Sequence, residues 1–376
     1  MNEVTRDRLK DAKRIVVKVG SAQLTTPEGG LSSVAIARLA VQLGELHQAG
    51  KEVLVVSSGA VASGMAKLGI SVRPTDMSEV QALAAVGQMG LVQAWERMCQ
   101  DNGFQTAQVL LTHDDLSDRK RYLNARMTLK TLLRFNVVPV INENDTVVTD
   151  EICFGDNDSL GALVANLVEA DALIILTDQK GLYDRDPRTN PDAKLVNVAS
   201  ALDDSLGGMA TGDTGSLGRG GMATKVRAAR IACRSGTHTV IAHGETPGVV
   251  LSVLRGDAVG TFLYADQTPQ AARKQWLSAH LQMRGSLTVD EGAERVLREQ
   301  GKSLLPVGVV AVEGAFARGE MVQVVNSEGR AIVRGLVNYN AEEANALIGV
   351  ATKDIEAQLG YAREPELIHR DNMVSE

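Results

Sequence analysis

The sequence predicts an α/β protein: a mainly parallel sheet sandwiched by helices, followed by a small β-rich C-terminal domain. Over roughly the first 260 residues, β-branched and aliphatic runs alternate with helix-like segments. Most of these runs are apolar on both faces, which is typical of parallel strands that are covered by helices on each side. Beyond this region the strand-like runs become closely spaced, with one short helix among them. This change indicates a second domain.

The elements of the first region follow from local patterns. Strand-like runs lie at 14–20, 52–60, 106–112, 137–145, 172–177 and 239–244. Helical periodicity predicts helices at 34–50, 78–101, 121–136 and 222–236, and another that opens at the stretch FGDNDSL, 154–160. Gly50 marks the end of the first of these helices, because glycine readily takes the left-handed conformation found there.

The second region reads as a compact β-rich module. The strand-like pieces LLPVGVVAVEG, MVQVVN and AIVRGLVNY follow one helical segment, DEGAERVLREQG. We therefore predict a first domain at 1–267, a linker at 268–280, a β-rich domain at 281–361 and a loosely held charged tail at 362–376.

Size and composition exclude several classes of protein. The chain has 376 residues, enough for two domains, and a formal net charge of -7, which gives no overall basic surface for nucleic acid or an anionic membrane. It contains no apolar run of about 20 residues, and its charged N-terminus lacks the apolar core of a signal peptide. Cys99, Cys153 and Cys233 are far apart and fit neither a disulfide framework nor a zinc site. We expect a cytoplasmic protein without membrane association.

Small polar clusters follow four of the predicted strands. They are KVGS at 18–21, SSGA at 57–60, NEND at 142–145 and TDQ at 177–179. Ligands of parallel α/β sheets bind beyond the carboxyl ends of the strands. A single cluster of this kind is more often a turn than a site, but four of them favour a binding site at this edge of the sheet.

The FGDND stretch places Asp156, Asn157 and Asp158 at the mouth of an apolar helix. Asp and Asn are favoured at helix starts, where they accept hydrogen bonds from unpaired amides and suit the helix dipole. A helix cap needs only one residue, however, and this stretch contains three polar residues that could serve as the cap. Taken alone, this segment fits a cap and a functional site equally well.

Two glycine-containing stretches raise the question of phosphate binding. GKS at 301–303 does not complete a P-loop, because Val296 rather than glycine stands five residues before Gly301. The glycine-rich stretch TGDTGSLGRGGMATK, 211–225, leads into a helix, and its backbone amides could hold phosphate oxygens. Without other evidence, a surface loop followed by an ordinary helical lysine explains this stretch better.

Three charged residues at element ends favour phosphoryl transfer. Lys18 closes the first strand, Lys225 lies in the first turn after the glycine-rich stretch, and Asp158 opens another helix. Such transfer needs cations against the moving group and rigid positioning. Asp158 would hold both ammonium groups, although a strand-end lysine commonly just extends to water. None of the six histidines lies in these clusters, which favours an acceptor that is already anionic, such as a carboxylate or phosphate.

Six motifs in order carry a family resemblance: KVGS, VVSSGA, INEND, FGDND, TDQKGLYDRDPR and GRGGMATK. With them, nearly the whole chain resembles the amino acid kinase superfamily and, within it, the bacterial glutamate 5-kinases, many of which carry a PUA domain where the β-rich module stands. The resemblance implies ATP-dependent phosphorylation of the L-glutamate side chain with Mg²⁺, giving L-glutamyl 5-phosphate and ADP in the first step of proline biosynthesis.

The resemblance also implies residue roles. Catalysis would fall to Lys18, Lys225 and Asp158; glutamate binding to Ser58, Gly59, Asn142, Asp145 and Asn157; nucleotide binding to Lys18, Thr177, Asp178, Arg219, Gly220, Gly221, Met222, Ala223, Thr224 and Lys225; and metal binding to Asp156. Asp145 can receive a free α-ammonium group, which favours glutamate over N-acetylglutamate. Arg219 stands where a small residue is commoner in the family, so its role stays open.

Expected partners follow from the same resemblance. They are proline as an inhibitor, bound between the fourth strand and FGDND; further copies of the chain in a dimer or tetramer; and glutamyl phosphate reductase in a transient association. Two alternatives remain: a related kinase for another small acid, and RNA binding through the PUA-like module. Between residues 280 and 361, 8 Lys/Arg stand against 11 Asp/Glu, which argues against RNA.

Overall fold

The computed structural model describes residues 5–26, 29–148, 157–210, 221–268, 272, 283–362 and 364–375. The chain forms two compact units, Met1–Pro269 and Gln270–Glu376. The predicted linker at 268–280 lies almost entirely outside the described residues, so the domain limits proposed from the sequence stay predictions. No helix in the described ranges is both long and apolar enough to cross a membrane.

The first unit is built on an eight-stranded sheet in the order β3-β4-β2-β1-β5-β7-β8-β6. Neighbouring strands are parallel except β7 and β8, which pair antiparallel. This confirms the prediction of a mainly parallel sheet. The strands are β1 Arg14–Val19, β2 Glu52–Ser57, β3 Thr106–Leu111, β4 Val138–Glu143, β5 Ala172–Thr177, β6 Val198–Ser200, β7 His238–His243 and β8 Thr261–Tyr264.

Helices cover both faces of this sheet, as the apolar strands require. Alternate residues of β1 enter different cores: Ile15 and Val17 pack on one side, and Val16 packs on the other. The helices are α1 Ser21–Leu24, α2 Ser33–Gln48, α3 Ala60–Leu68, α4 Met77–Gln100, α5 His113–Ser117, α6 Arg119–Arg134, α7 Asn157–Val168, α8 Ser205–Met209, α9 Met222–Cys233 and α10 Val249–Leu254; a short 3-10 helix, Arg6–Leu9, precedes β1.

Sequence patterns missed the shorter elements of this unit. Strand β6 has three residues, none of them fully buried, so it lacks an apolar run. Helix α3 begins only three residues after β2, because Gly59 adopts a left-handed conformation with φ of 108° and turns the chain sharply. The prediction of a strand through residue 60 was therefore too long.

The second unit contains a separate five-stranded sheet in the order β10-β9-β11-β12-β13. The sequence prediction missed β9, the strand before the helix. The elements are β9 Met283–Val289, α11 Glu291–Gln300, β10 Val309–Gly314, β11 Met321–Val325, β12 Ala331–Leu336, α12 Ala341–Ala346, α13 Ile355–Leu359 and β13 Met373–Ser375, with 3-10 helices at Pro306–Gly308, Thr352–Asp354 and Arg370–Asn372. Its own apolar core includes the fully buried Tyr339.

The prediction of a loosely held charged tail is wrong for the residues described there. Leu367 and Ile368 are completely buried in the core of the second unit. Strand β13 pairs antiparallel with β12 and completes the sheet. This segment contains only a few apolar residues among many charged ones, so its sequence pattern does not predict order. Those few apolar residues nevertheless pack into the core and hold the chain in place.

Candidate active site

Two buried lysines share one carboxylate at the carboxyl edge of the first sheet. Lys18 Nζ lies 2.6 Å from Asp158 Oδ1, and Lys225 Nζ lies 3.1 Å from Asp158 Oδ2. The three residues come from β1, α7 and α9 and are all at most 6% exposed. The structure thus brings together the three side chains that the sequence identified as catalytic candidates.

The electrostatics of this group favour a permanently ionised carboxylate. Burial by itself would raise the pKa of Asp158, but the charges of Lys18 and Lys225 and a hydrogen bond from Thr224 outweigh it and hold that pKa well below its usual range. Both lysines therefore meet a full negative charge. The carboxylate in turn offsets the repulsion between two ammonium groups confined to a poorly hydrated space.

The start of helix α9 is tied to the same carboxylate. The Thr224 hydroxyl lies 2.7 Å from Asp158 Oδ2 and 2.8 Å from the Gly221 carbonyl oxygen. Gly221 is the N-cap of α9, and Met222 and Ala223 open its first turn. Thr224 thereby couples the orientation of Asp158 to the end of the helix from which Lys225 projects.

A second polar cluster lies beside the first. Asn157 Nδ2 is 2.9 Å from Ser58 Oγ, 3.0 Å from Asn142 Oδ1 and 3.3 Å from the Ser57 carbonyl oxygen. Asn157 immediately precedes Asp158 at the start of α7, and Gly59 next to Ser58 is the N-cap of α3. The structure thus places Ser58, Asn142 and Asn157 in one group.

Helix α4 supplies two residues to this cluster that sequence reasoning missed. Gln88 Oε1 accepts from Asn142 Nδ2 at 2.8 Å, and the buried Trp95 Nε1 donates to Ser57 Oγ at 2.9 Å. Their seven-residue spacing puts them on one face of the helix. Within a long helical pattern that spacing looks like ordinary packing, so the sequence held little signal for either residue.

Asp145 follows β4 and is only partly exposed. Burial and the nearby Glu143 raise its pKa to about 7, and Arg73 opposes this shift. Among the described residues, no hydrogen bond joins Asp145 to Asn157, so its membership of the amide cluster stays a prediction. Its raised pKa nevertheless makes it a group that changes charge near neutral pH.

The predicted nucleotide residues at the end of β5 directly precede, along the chain, a segment that lines a cleft. Thr177 is buried, and its hydroxyl donates to the exposed Asp178 at 3.0 Å. The residues just beyond them line a cleft that also reaches Met222; they include Gln179, Gly181, Tyr183 and Arg185. All four belong to the TDQKGLYDRDPR motif, so the motif pointed to this cleft although these residues were not singled out.

Asp156, Arg219 and Gly220 lie outside the described residues, and their roles stay predictions. In the described part of the chain, no group of three His, Cys, Asp or Glu side chains could hold a metal ion. Cys99 and Cys233 are free and buried.

Fold and site together define an enzyme of the amino acid kinase class. The amino acid kinase family matches residues 13–243, and the PUA domain family matches residues 285–359. The chain belongs to the amino acid kinase family, with a C-terminal PUA domain. This confirms the fold class and the family resemblance read from the sequence.

Curated relatives of the chain include proteins named glutamate 5-kinase. It is 60% identical to that of Pseudomonas aeruginosa strain UCBPP-PA14, over 98% of this chain and 99% of the relative. It is 59% identical to that of Hahella chejuensis, over 98% and 96% respectively. Of solved structures, a UMP kinase from Bacillus anthracis has a TM-score of 0.49 at 15% identity, over 68% of this chain and 98% of that one.

Proposed function

We propose that this protein transfers the γ-phosphoryl group of ATP to the side-chain carboxylate of L-glutamate, giving L-glutamyl 5-phosphate and ADP. The observation that carries the proposal is the pairing of Lys18 and Lys225 with the single carboxylate of Asp158. About 60% identity with glutamate 5-kinases over nearly the full length supports the same acceptor.

The lysines supply the positive charge that phosphoryl transfer requires. Two ammonium groups from different elements can approach a phosphoryl group from two sides and stabilise the charge that develops on its oxygens. Asp158 does not serve as a base, since its low pKa and its contacts with both lysines keep it ionised and occupied. A base is not needed, because the glutamate side chain is already ionised at neutral pH.

The amide cluster and Asp145 are suited to the amino acid end of glutamate. Asn157 Oδ1 is buried without a hydrogen-bond partner among the described residues, so it is an acceptor available to a substrate ammonium group. The Ser58 hydroxyl and the N-terminus of α3 at Gly59 suit a carboxylate. Asp145, when ionised, would attract the α-ammonium group.

We place the nucleotide beside Thr177 and Asp178 and over the 219–225 segment that leads into α9. The cleft lined by Gln179 and Tyr183 adjoins these residues through Met222 and supports this assignment. Mg²⁺ would enter with the ATP phosphates, because it binds through substrate oxygens with one or two carboxylates rather than a full protein cage. It would neutralise phosphate charge, with Asp156 as the proposed protein ligand.

The proposal is tested by trapping the acyl phosphate. Purified protein with ATP and Mg²⁺ should form a hydroxamate from L-glutamate in the presence of hydroxylamine, with one ADP per hydroxamate. N-acetylglutamate and L-aspartate serve as matched acceptors in the same assay, and UMP, whose phosphorylated product does not react with hydroxylamine, is compared by ADP release; all three should give little product. A preference for any of these three acceptors over L-glutamate would contradict the proposal.

The family resemblance alone supports proposals about the pathway, compartment, inhibitor and partners of this protein. We propose that it acts in proline biosynthesis in the cytoplasm, that proline inhibits it, and that it forms a dimer or tetramer that associates transiently with glutamyl phosphate reductase. Saturating proline that leaves hydroxamate formation unchanged would refute the inhibition. Sedimentation of a monomer at micromolar concentration would refute the oligomer, and a coupled flux that added reductase does not raise would refute the association.

A further inference from the structure

The positions of the nitrogen and oxygen atoms in the side-chain amides of Asn157 and Asn142 are fixed by their hydrogen-bond partners. A backbone carbonyl oxygen determines the first of these assignments. The Ser57 carbonyl oxygen can only accept, so the Asn157 side-chain atom 3.3 Å from it must be the nitrogen. Asn142 then presents its oxygen to that nitrogen at 3.0 Å. Its own nitrogen must therefore point to an acceptor, and Gln88 Oε1 fills this place at 2.8 Å.

This polarity decides what the cluster offers a ligand. Because Asn157 uses its nitrogen towards Ser57, Ser58 and Asn142, its oxygen is left buried without a partner among the described residues. Asn157 also donates to Ser58 Oγ, which leaves the Ser58 hydroxyl hydrogen available for another acceptor. The cluster thus presents one acceptor and one donor, which matches the ammonium and carboxylate groups of an amino acid.

We propose that Gln88 is a positioning residue for the acceptor substrate, acting through Asn142. Gln88 is the sole described partner of the Asn142 nitrogen, and Asn142 is only 3% exposed. Without an acceptor at Gln88, the buried Asn142 nitrogen would lose its partner, and its amide would no longer be held in this orientation. Any turn of that amide would place its nitrogen against the nitrogen of Asn157. The inference rests on the proposed function, since it assumes that Asn157 contacts the substrate.

The fold brings Gln88 to this place through a close crossing of α3 and α4. A Cβ atom on Gly87 would lie 1.9 Å from the Ala60 carbonyl oxygen, and one on Gly64 would lie 1.9 Å from the Leu83 carbonyl oxygen. Both contacts are far too short for any larger residue, so the two glycines allow the helix backbones to touch. The neighbour of Gly87 is thereby held against the end of β4.

The test compares variants at Gln88 with a control on the same helix. Gln88→Met removes the acceptor and should raise the glutamate KM about tenfold, with kcat and the ATP KM changed less than about twofold. Gln88→Glu keeps an acceptor and should lie closer to the wild type. Gln93→Met, at an exposed position of α4, should leave all three constants unchanged.

A double-mutant cycle separates positioning from a general structural effect. If Gln88 acts through Asn142, Gln88→Met should not raise the glutamate KM further in an Asn142→Ala background, because the group that it orients is gone. The inference would be overturned if the KM increases of Gln88→Met and Asn142→Ala multiplied in the double variant. An unchanged glutamate KM in Gln88→Met alone would also overturn it.

Failure of the proposed function would look different. In that case the wild type would form no hydroxamate from glutamate, and the cycle would be run with the acid that it does phosphorylate. The expected result is then the same non-additivity in the KM for that acid. Additive effects there would again overturn the role of Gln88.

Discussion

Lys18 Nζ forms an ion pair with Asp158 Oδ1 at 2.6 Å, although the two side chains are only 8% and 2% exposed and come from distant parts of the chain. A buried ion pair adds little net stability, because removing both charges from water costs about as much as their attraction returns. A second lysine, Lys225, joins the same carboxylate. We therefore infer that the group of Lys18, Lys225 and Asp158 serves to present positive charge to a ligand. The contribution of each residue can be tested by substituting it alone.

Removing either lysine should lower turnover. Lys18→Ala and Lys225→Ala should each reduce kcat by a factor of about 100 to 1000, because each ammonium group acts mainly on charge that appears in the transition state. The glutamate KM should change only a few-fold. Steady-state ADP release provides the measurement, and Lys67→Ala, at an exposed position of α3, is the control. A raised KM with an unchanged kcat would contradict these roles.

Asp158 should make folding stability depend on acidic pH. Its pKa is lower in the folded protein than the unfolded value of about 3.9, so its contribution is complete above about pH 4 and is lost as the pH falls towards the folded value. Asp158→Asn should reduce the unfolding free energy by about 3 kcal/mol at pH 7. The difference from the wild type should shrink below pH 4.

Urea denaturation between pH 3 and pH 8 measures this difference. Asp101→Asn provides the control, because Asp101 is an exposed residue just after α4. Other titrating carboxylates affect both proteins equally and cancel in the comparison. A difference that stays constant down to pH 3 would show that the charge of Asp158 is not involved.

Asp145 should give substrate binding a pH dependence near neutrality. Burial first, and then Glu143, raise its pKa to about 7, so it is largely protonated at pH 6 and ionised at pH 8. If the ionised form receives the α-ammonium group, the glutamate KM should rise about tenfold for each pH unit below 7 and level off above it. Initial rates across this range measure the effect.

The Asp145→Asn variant distinguishes this residue from other titrating groups. Its glutamate KM should be high and nearly independent of pH, because the amide cannot ionise. If the variant kept the wild-type slope, the titrating group would be elsewhere. The KM for ATP in the same assays is an internal reference that should not follow the change.

The contact between α3 and α4 should tolerate no side chain at Gly87. Gly87→Ala would place a methyl group 1.9 Å from the Ala60 carbonyl oxygen, and relieving this clash should cost about 1–3 kcal/mol of stability. Gly207→Ala is the matched control, since its Cβ would meet only an Arg230 nitrogen at 3.9 Å. Thermal unfolding compares the two, and equal melting temperatures would refute the close crossing.

Thr224 should matter through its hydroxyl group. Thr224→Val keeps the shape but leaves Asp158 without one hydrogen bond, and it should lower kcat about tenfold. Thr224→Ser keeps the hydroxyl and should retain most of the activity. Similar kcat values for the Val and Ser variants would show that the methyl group, rather than the hydroxyl, is what α9 requires.

The sequence predicted much of this fold because its signals are local. The runs that became β1, β2 and β5 are apolar on both faces, and only strands buried from both sides need that composition. The helix start at Asn157 was also readable, since the change from polar to apolar residues is abrupt. The ordered structure of the tail around Leu367 could not be predicted from the sequence, because two buried residues do not stand out in a charged segment.

By itself, the sequence determined the alternation of strands and helices, the edge of the sheet where the polar residues gather, and the choice of Lys18, Lys225 and Asp158 as catalytic candidates. Tertiary structure alone decided that Gln88 and Trp95 support the second cluster, and that the Asn157 oxygen is left open. The physical reason is the distance along the chain over which each kind of signal acts. Periodicity and composition act along a few neighbouring residues, whereas the direction of a hydrogen bond depends on which atoms of distant elements meet within about 3 Å.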